Sequence, residues 1–254
     1  MNKNLDGQMT NGTSVGLAEA LKRARVMGQK ASIAPSDLPA TPEQAYAASS
    51  SQVRDVAAWK IGGANPWSRK VFNNQEIFFG PLQEQELVSG AGSLSLQGLL
   101  APLAEPEVML EIADWNATTP SARFSRMALG FEIPATVLPE DLKPELMGQI
   151  ADRAGAGAIW LTGIRAFDIA CFEQPLLVEM QLNADDPIAG STENVISGPL
   201  GAAAEFFSLA LRYDMPLEPG QWIATGGLCP AVPVVPGDRL ALRSNWGHFT
   251  LQLE

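Results

Sequence analysis

The sequence predicts an α+β protein built on a rolled or sandwiched mixed sheet, with helices gathered at its N-terminal end. Three observations predict it. Strand-like apolar runs dominate the middle and end of the chain, helical periodicity concentrates in the first 55 residues and one later stretch, and the regular strand-helix-strand alternation of a parallel sheet is missing. With 254 residues, 46% of them hydrophobic, the chain can bury one sizeable core. The organisation expected is a disordered tail over residues 1–13, a helical segment over 14–55 and a sheet domain over 56–254.

From Val15 to Met27, Leu17, Leu21 and Ala24 fall near helical spacing with Lys22, Arg23 and Arg25 opposite, which predicts an amphipathic helix. Residues 30–40, with Pro35 and Pro39, lead to a second helix, opened by Thr41 as N-cap with Pro42 and Glu43 behind it and running to about Val53. VAAWKIGG, residues 56–63, reads as a strand ended by paired glycines. Its Lys60 either snorkels to water or must find a counter-charge, because an ammonium buried alone is costly. Residues 64–103 read as irregular, with turns at Gly80, Gly90 and Gly92.

AEPEVMLEI, residues 104–112, is the strand on which the chemistry turns. Side chains alternate across a strand, so Glu105, Glu107, Met109 and Glu111 share one face while Val108, Leu110 and Ile112 face the core. The carboxylate face is either a wetted sheet surface or the floor of a cation site. RFSRMALGFEIPATV then brings Glu132 on a second strand, and residues 139–153 read as helix ending at RAGAGA. AIWLTGIR reads as a short buried strand, and PLLVEMQLNADDPIAGS as a strand, turn and return. Ser197 and Gly198 lead into Pro199 and a core-facing helix marked by Ala203, Phe206, Phe207, Ala210 and Leu211. The remainder is strand-rich, broken by Gly226, Gly227 and the turn at Pro236, Gly237 and Asp238.

Composition excludes several functions. A net charge of −11 leaves no electrostatic footprint for nucleic acid or an anionic membrane. The polar N-terminus and the lack of any run of eighteen apolar residues predict a soluble, cytoplasmic protein, and the two cysteines, Cys171 and Cys229, fit a reducing compartment. The one histidine, His248, leaves no material for HExxH zinc sites or histidine-based triads, and no phosphate-binding glycine loop is present. Oxygen chemistry remains. Glu105, Glu107 and Glu132, without thiolate or imidazole, form a set that selects Mg²⁺, with Mn²⁺ or Ca²⁺ as alternatives.

TPEQAYAAS, WKIGG, AEPEVMLE, GFEIPATV, the AD and LTG around Asp152 and Gly163, SGPLGAAAEFF, IATGGL and VPVVPGDRL occur in a telling order. Over residues 17–254 the chain resembles the 2-keto-4-pentenoate hydratase and 4-oxalocrotonate decarboxylase branch of the fumarylacetoacetate hydrolase superfamily. The resemblance implies that superfamily's mixed β-roll, with 56–254 as the catalytic domain, Mg²⁺ or Mn²⁺ held by Glu105, Glu107 and Glu132, and Lys60 as the catalytic lysine. It also implies a substrate contacted by Gln85, Arg153, Gly226 and Gly227. Gln85 stands where hydratases tend to have aspartate, and Arg153 and Gly155 stand for an asparagine and a serine. A structural ion pair is the expected use of Arg153, in a chain with 28 acids, ahead of binding a second substrate carboxylate. The implied activity is a metal-dependent lyase, hydratase or decarboxylase, on a small 2-oxo or 2-hydroxydienoate acid, in a homo-oligomer. A fumarylacetoacetate-type carbon–carbon hydrolase, which would need His248 to activate water, and a non-catalytic partner subunit are the alternatives.

Overall fold

A computed structural model describes residues 6–254 apart from residue 91, with side chains from residue 16 onward. In chain order the helices are α1 (Asp6–Met27), α2 (Pro42–Ser50), α3 (Pro66–Phe72), α4 (Pro120–Arg123), α5 (Leu146–Ala151) and α6 (Gly198–Arg212). The strands are β1 (Val56–Gly62), β2 (Phe78–Gln83), β3 (Leu87–Ser89), β4 (Ser93–Leu94), β5 (Leu103–Ile112), β6 (Phe124–Ile133), β7 (Ala158–Ala166), β8 (Leu177–Leu182), β9 (Ile188–Ser191), β10 (Trp222–Gly227), β11 (Val232–Pro233), β12 (Arg239–Ser244) and β13 (Gly247–Leu253). The larger sheet runs β2-β1-β10-β5-β6-β7-β3, with β11 paired to β5, and the smaller runs β4-β13-β12-β8-β9. Parallel and antiparallel pairings mix, β1 with β10 being parallel and β10 with β5 antiparallel. This is the α+β architecture that the scattered helices and strands predict.

The larger sheet is buried on both faces. On one, α6 lays Phe206 against Trp59 of β1 and Phe79 of β2, with ring centroids 5.6 and 5.0 Å apart. Val108, Leu110 and Ile112 of β5 join that cluster. On the other, concave face, Ala58, Leu82, Met109, Ala128, Leu161 and Ala224 form a second cluster of mostly small side chains. The alternation in β5 therefore has the expected parity, but the face bearing Glu105 and Glu107 looks into the roll rather than at water.

Several expectations are corrected. Backbone helix α1 begins at Asp6, inside the segment read as a tail, whose first five residues lie outside the described ones. The irregular stretch 64–103 contains α3 and the strands β2, β3 and β4. Pro81 masked β2, yet β2 is the edge strand of its sheet, where a missing N–H is tolerated. The helix expected over 139–153 shrinks to α5, because Pro144 lacks an N–H and pushes the residue before it out of helical geometry. Leu211 is 63% exposed, since the buried stripe of α6 runs through Ala202, Phe206, Leu209 and Ala210 and Leu211 lies a further 100° round the helix. The segment Thr192–Arg212 is apolar enough to span a membrane by composition alone, but in the fold it carries that buried stripe.

Candidate metal centre

β5 and β6 pair in a register that sets Glu105 directly opposite Glu132, with Glu107 two residues further on. Oxygens of the three carboxylates all lie within 4.8 Å of one another. Glu107 and Glu132 are buried and Glu105 is half-buried, facing a cavity of about 700 Å³. β1 lies three strands from β6 along the sheet, yet the curl brings Lys60 Nζ to 2.9 Å from Glu132 Oε1. Lys60 also donates to the carbonyl of Ala154 at 3.0 Å and is only 5% exposed, so it does not snorkel.

β10 lies between β1 and β5, and its two glycines hold the carboxylates. Its register with β5 shifts between Ala224 and Gly227, and at the bulge Gly226 adopts φ +116°, a region that L side chains rarely enter. The turned N–H of Gly226 donates to Glu107 Oε2 at 2.7 Å. A Cβ on Gly227 would stand 2.2 Å from Glu105 Oε2, so only glycine leaves that carboxylate its place. Asn65, at the start of α3, donates from Nδ2 to the Gly227 carbonyl at 2.7 Å. The glycines expected at the substrate thus serve the carboxylates first, although Gly227 also lines the cavity.

Charge is unbalanced here: three carboxylates face one ammonium. Burial, and after it the charge of Glu132, pushes the Glu105 carboxyl up to about 8 and raises Glu107 well above the usual carboxylate range. Burial would lower Lys60, but the charges of Glu132, Glu105 and Glu107 outweigh it and hold the ammonium above its ordinary value. Glu107 Oε1 and Glu132 Oε2 are buried without a hydrogen-bond partner among the described residues. Orphaned acceptors in an all-oxygen donor set fit a hard divalent cation, which would supply the missing positive charge.

The remaining expected residues fall elsewhere. Gln85 is exposed on the turn between β2 and β3 and is not among the residues lining the cavity. Its neighbour Glu86 turns inward instead and meets Arg153 at 2.5 Å. Arg153 is buried, its Nε donating to the Pro81 carbonyl at 3.0 Å, so it faces the protein and not the cavity. Gly155 does line the cavity. Arg153→Asn is expected to cost about 2–4 kcal/mol, because it strands the Glu86 carboxylate. Denaturant midpoints should show that loss while kcat/KM stays within a few-fold; a selective fall in turnover on dicarboxylates would reassign Arg153 to substrate.

Sequence reading missed the support beneath Lys60. Arg153, Ala154 and Gly155 are consecutive left-handed residues, at φ +56°, +55° and +69°, and this turn aims the Ala154 carbonyl at the lysine. Asp152 anchors the turn, accepting from Thr136 Oγ1 at 2.6 Å, the Val137 N–H at 2.9 Å and Arg25 Nη2 at 2.6 Å. Arg25 therefore leaves the solvent side of α1 that helical spacing gave it. His248 is exposed on β13, in the smaller sheet, and Cys229 is buried, its thiol pushed up to about 12 by that burial and by Glu105.

No family model matches the chain. It is 25% identical over 189 residues, 71% of each chain, to 4-oxalocrotonate decarboxylase of Pseudomonas sp. (strain CF600). It is 27% identical over 239 residues, 88% of this chain and 89% of the other, to 2-hydroxyhexa-2,4-dienoate hydratase of Comamonas testosteroni. The fold matches, over 100% of both chains with a TM-score of 0.83 and 20% identity, that of 4-oxalocrotonate decarboxylase from Pseudomonas putida G7, complexed with magnesium and adipate. In sequence and fold the chain is similar to the hydratase and decarboxylase branch of the fumarylacetoacetate hydrolase superfamily. Fumarylpyruvate hydrolase from Pseudomonas aeruginosa, in complex with Mn²⁺ and pyruvate, shares less of its fold with the chain: a TM-score of 0.58 at 14% identity, over 77% of this chain and 88% of the other.

Proposed function

We propose that the protein is a Mg²⁺- or Mn²⁺-dependent lyase, a hydratase or decarboxylase, acting on a small 2-oxo or 2-hydroxydienoate acid. One observation carries this reading: Glu105, Glu107 and Glu132 converge with the buried ammonium of Lys60 at the end of a cavity. A bound cation supplies Lewis acidity that steadies negative charge developing on the substrate's 2-oxygen. Lys60, held by Glu132 and the Ala154 carbonyl, presents a proton where that charge develops and where solvent has little access. Its burial against the cluster counts against a non-catalytic subunit, the alternative that the departures at Gln85 and Gly155 raise, and the exposed position of His248 leaves a carbon–carbon hydrolase without its base. The same reading makes the chain a cytoplasmic homo-oligomer.

The test is turnover of 2-hydroxydienoates and of their 2-oxo dicarboxylic relatives with and without Mg²⁺, followed by loss of dienoate absorbance and by released carbon dioxide. Activity independent of any divalent cation would sink the proposal.

Metal removal should expose the strain in the cluster. Because the folded pKa of Glu105 is raised, the folded chain keeps protons that the unfolded chain has lost, so metal-free stability falls as pH rises from the usual carboxylate range to about 8. A cation displaces those protons and binds more tightly at the higher pH. At about 100-fold excess over its Kd, Mg²⁺ should add roughly 2.7 kcal/mol, a Tm rise of about 5–10 °C. Scanning calorimetry should find that rise larger at pH 8 than at pH 6; equal rises would contradict the proton-coupled site.

A further inference from the structure

The cavity that opens from the carboxylates has two unlike ends. Lys60 and Glu105 stand at the inner end, and the outer walls come from α3 on one side and from β11 with the loop around it on the other. Trp67, Val71 and Phe72 of α3 line the cavity together with Pro233 and Val235. Val71 is 59% exposed and Val235 60%, so two large apolar side chains stand at the rim with little covering them. Isolated exposed aliphatic residues need no explanation, but a pair flanking the mouth of a cavity whose wall is already apolar forms one continuous surface.

Most polar side chains on that wall, the Trp67 indole apart, are committed within the protein. Asn65 donates to the Asn194 and Gly227 carbonyls at 3.0 and 2.7 Å, and Ser68 Oγ donates to the Asn65 carbonyl at 3.0 Å. Thr136 donates to Asp152 at 2.6 Å, and Gln149 donates to the Lys143 carbonyl at 2.7 Å. Lys143, the one cation besides Lys60 among the described residues of the wall, pairs with Glu140 at 2.9 Å, and its side chain is 32% exposed. Arg153, the other cation near the turn, is spent on Glu86. A second carboxylate entering this wall would lose water and meet no cation but Lys143, whose charge Glu140 already shares.

We propose that the substrate is a monocarboxylate with an extended apolar tail, its acid end at the carboxylate cluster and its alkyl or aryl end between α3 and the Pro233–Val235 wall. This selectivity rests on the metal-site reading above and narrows it from 2-oxo acids in general to tailed monoacids. Tail burial contributes about fourfold in affinity for each methylene fully removed from water, and the charge of a terminal carboxylate opposes that gain.

The test is calorimetric titration of the Mg²⁺-loaded protein with pyruvate, 2-oxooctanoate and 2-oxosuberate, the last two matched in carbon number. 2-Oxooctanoate should bind about 30-fold or more tightly than pyruvate, and 2-oxosuberate about tenfold or more weakly than 2-oxooctanoate. Val71→Arg, at an exposed position where the fold tolerates charge, should close most of the gap between the two eight-carbon acids. Lys143→Gln should leave their order unchanged. Mg²⁺-dependent binding of pyruvate with no gain from the tail would overturn this proposal and leave the metal site standing. Equal affinity for the two eight-carbon acids, or a selective loss of 2-oxosuberate in Lys143→Gln, would also overturn it. If no 2-oxo acid binds in a Mg²⁺-dependent way, the metal-site reading fails and takes this one with it.

Discussion

Glu107→Gln is expected to abolish Mg²⁺ binding and to lower kcat/KM by about 10³-fold or more, the scale of several kcal/mol of lost charge stabilisation. Glu107 is fully buried, and its two oxygens have different duties. Oε2 accepts the Gly226 N–H at 2.7 Å, while Oε1 has no partner among the described residues. A glutamine keeps the volume and can still offer its oxygen to Gly226, so the strand and its bulge should persist. It removes one of three charges and turns an amide N–H₂ toward the other carboxylates. Repulsion with Glu105 and Glu132 is thereby relieved, and the metal-free variant should melt no lower than the metal-free parent. Calorimetric titration with Mg²⁺ and Mn²⁺, beside thermal melts in a chelator, separates these effects. Metal affinity within a few-fold of the parent would show that the cluster is not the cation site.

How much of this site the sequence discloses depends on which interactions are local. Alternation along AEPEVMLEI places Glu105 and Glu107 on one face because that rule needs only the strand itself. What lies across that face depends on the curl of the sheet. The same alternation therefore favours a wetted surface over a buried cluster, and only the second small-residue cluster around Met109 and Ala128 decides for the buried one. Gly226 and Gly227 read in sequence as a turn, whereas Gly226 gives its N–H to Glu107 and Gly227 leaves room for Glu105, carboxylates about 120 residues earlier in the chain, a tertiary constraint with no local signature. Gln85 illustrates the reverse failure. Its position relative to the Gly80 turn pointed to the substrate, but the short turn after β2 faces it outward and sends Glu86 inward to Arg153. Excess acid in the composition was enough to anticipate that Arg153 would find a partner; which acid it would be depended on the left-handed turn at residues 153–155.

Lys60→Met should leave the fold and the metal site in place while turnover falls by about 10²-fold or more, the usual cost of removing a general acid or base. Methionine keeps an unbranched apolar stem of similar length, so the packing of β1 between β2 and β10 should survive. The ammonium contributes charge to Glu132 and a hydrogen bond to the Ala154 carbonyl. Loss of the first leaves Glu132 to a bound cation, which the variant should therefore hold at least as tightly as the parent, because a like charge has left its side. Loss of the second unpairs one carbonyl in a turn already anchored by Asp152, a cost of about 1–3 kcal/mol. These two readouts separate chemistry from structure. A lysine that only braced the turn would, when replaced, lower Tm and leave kcat near the parent's on a confirmed substrate. The expected result is the opposite pattern: with saturating Mg²⁺, a Tm within a few degrees of the parent's, unweakened Mg²⁺ affinity and a collapse confined to kcat. Full turnover by Lys60→Met would make the lysine structural and remove the proton donor from the proposed mechanism.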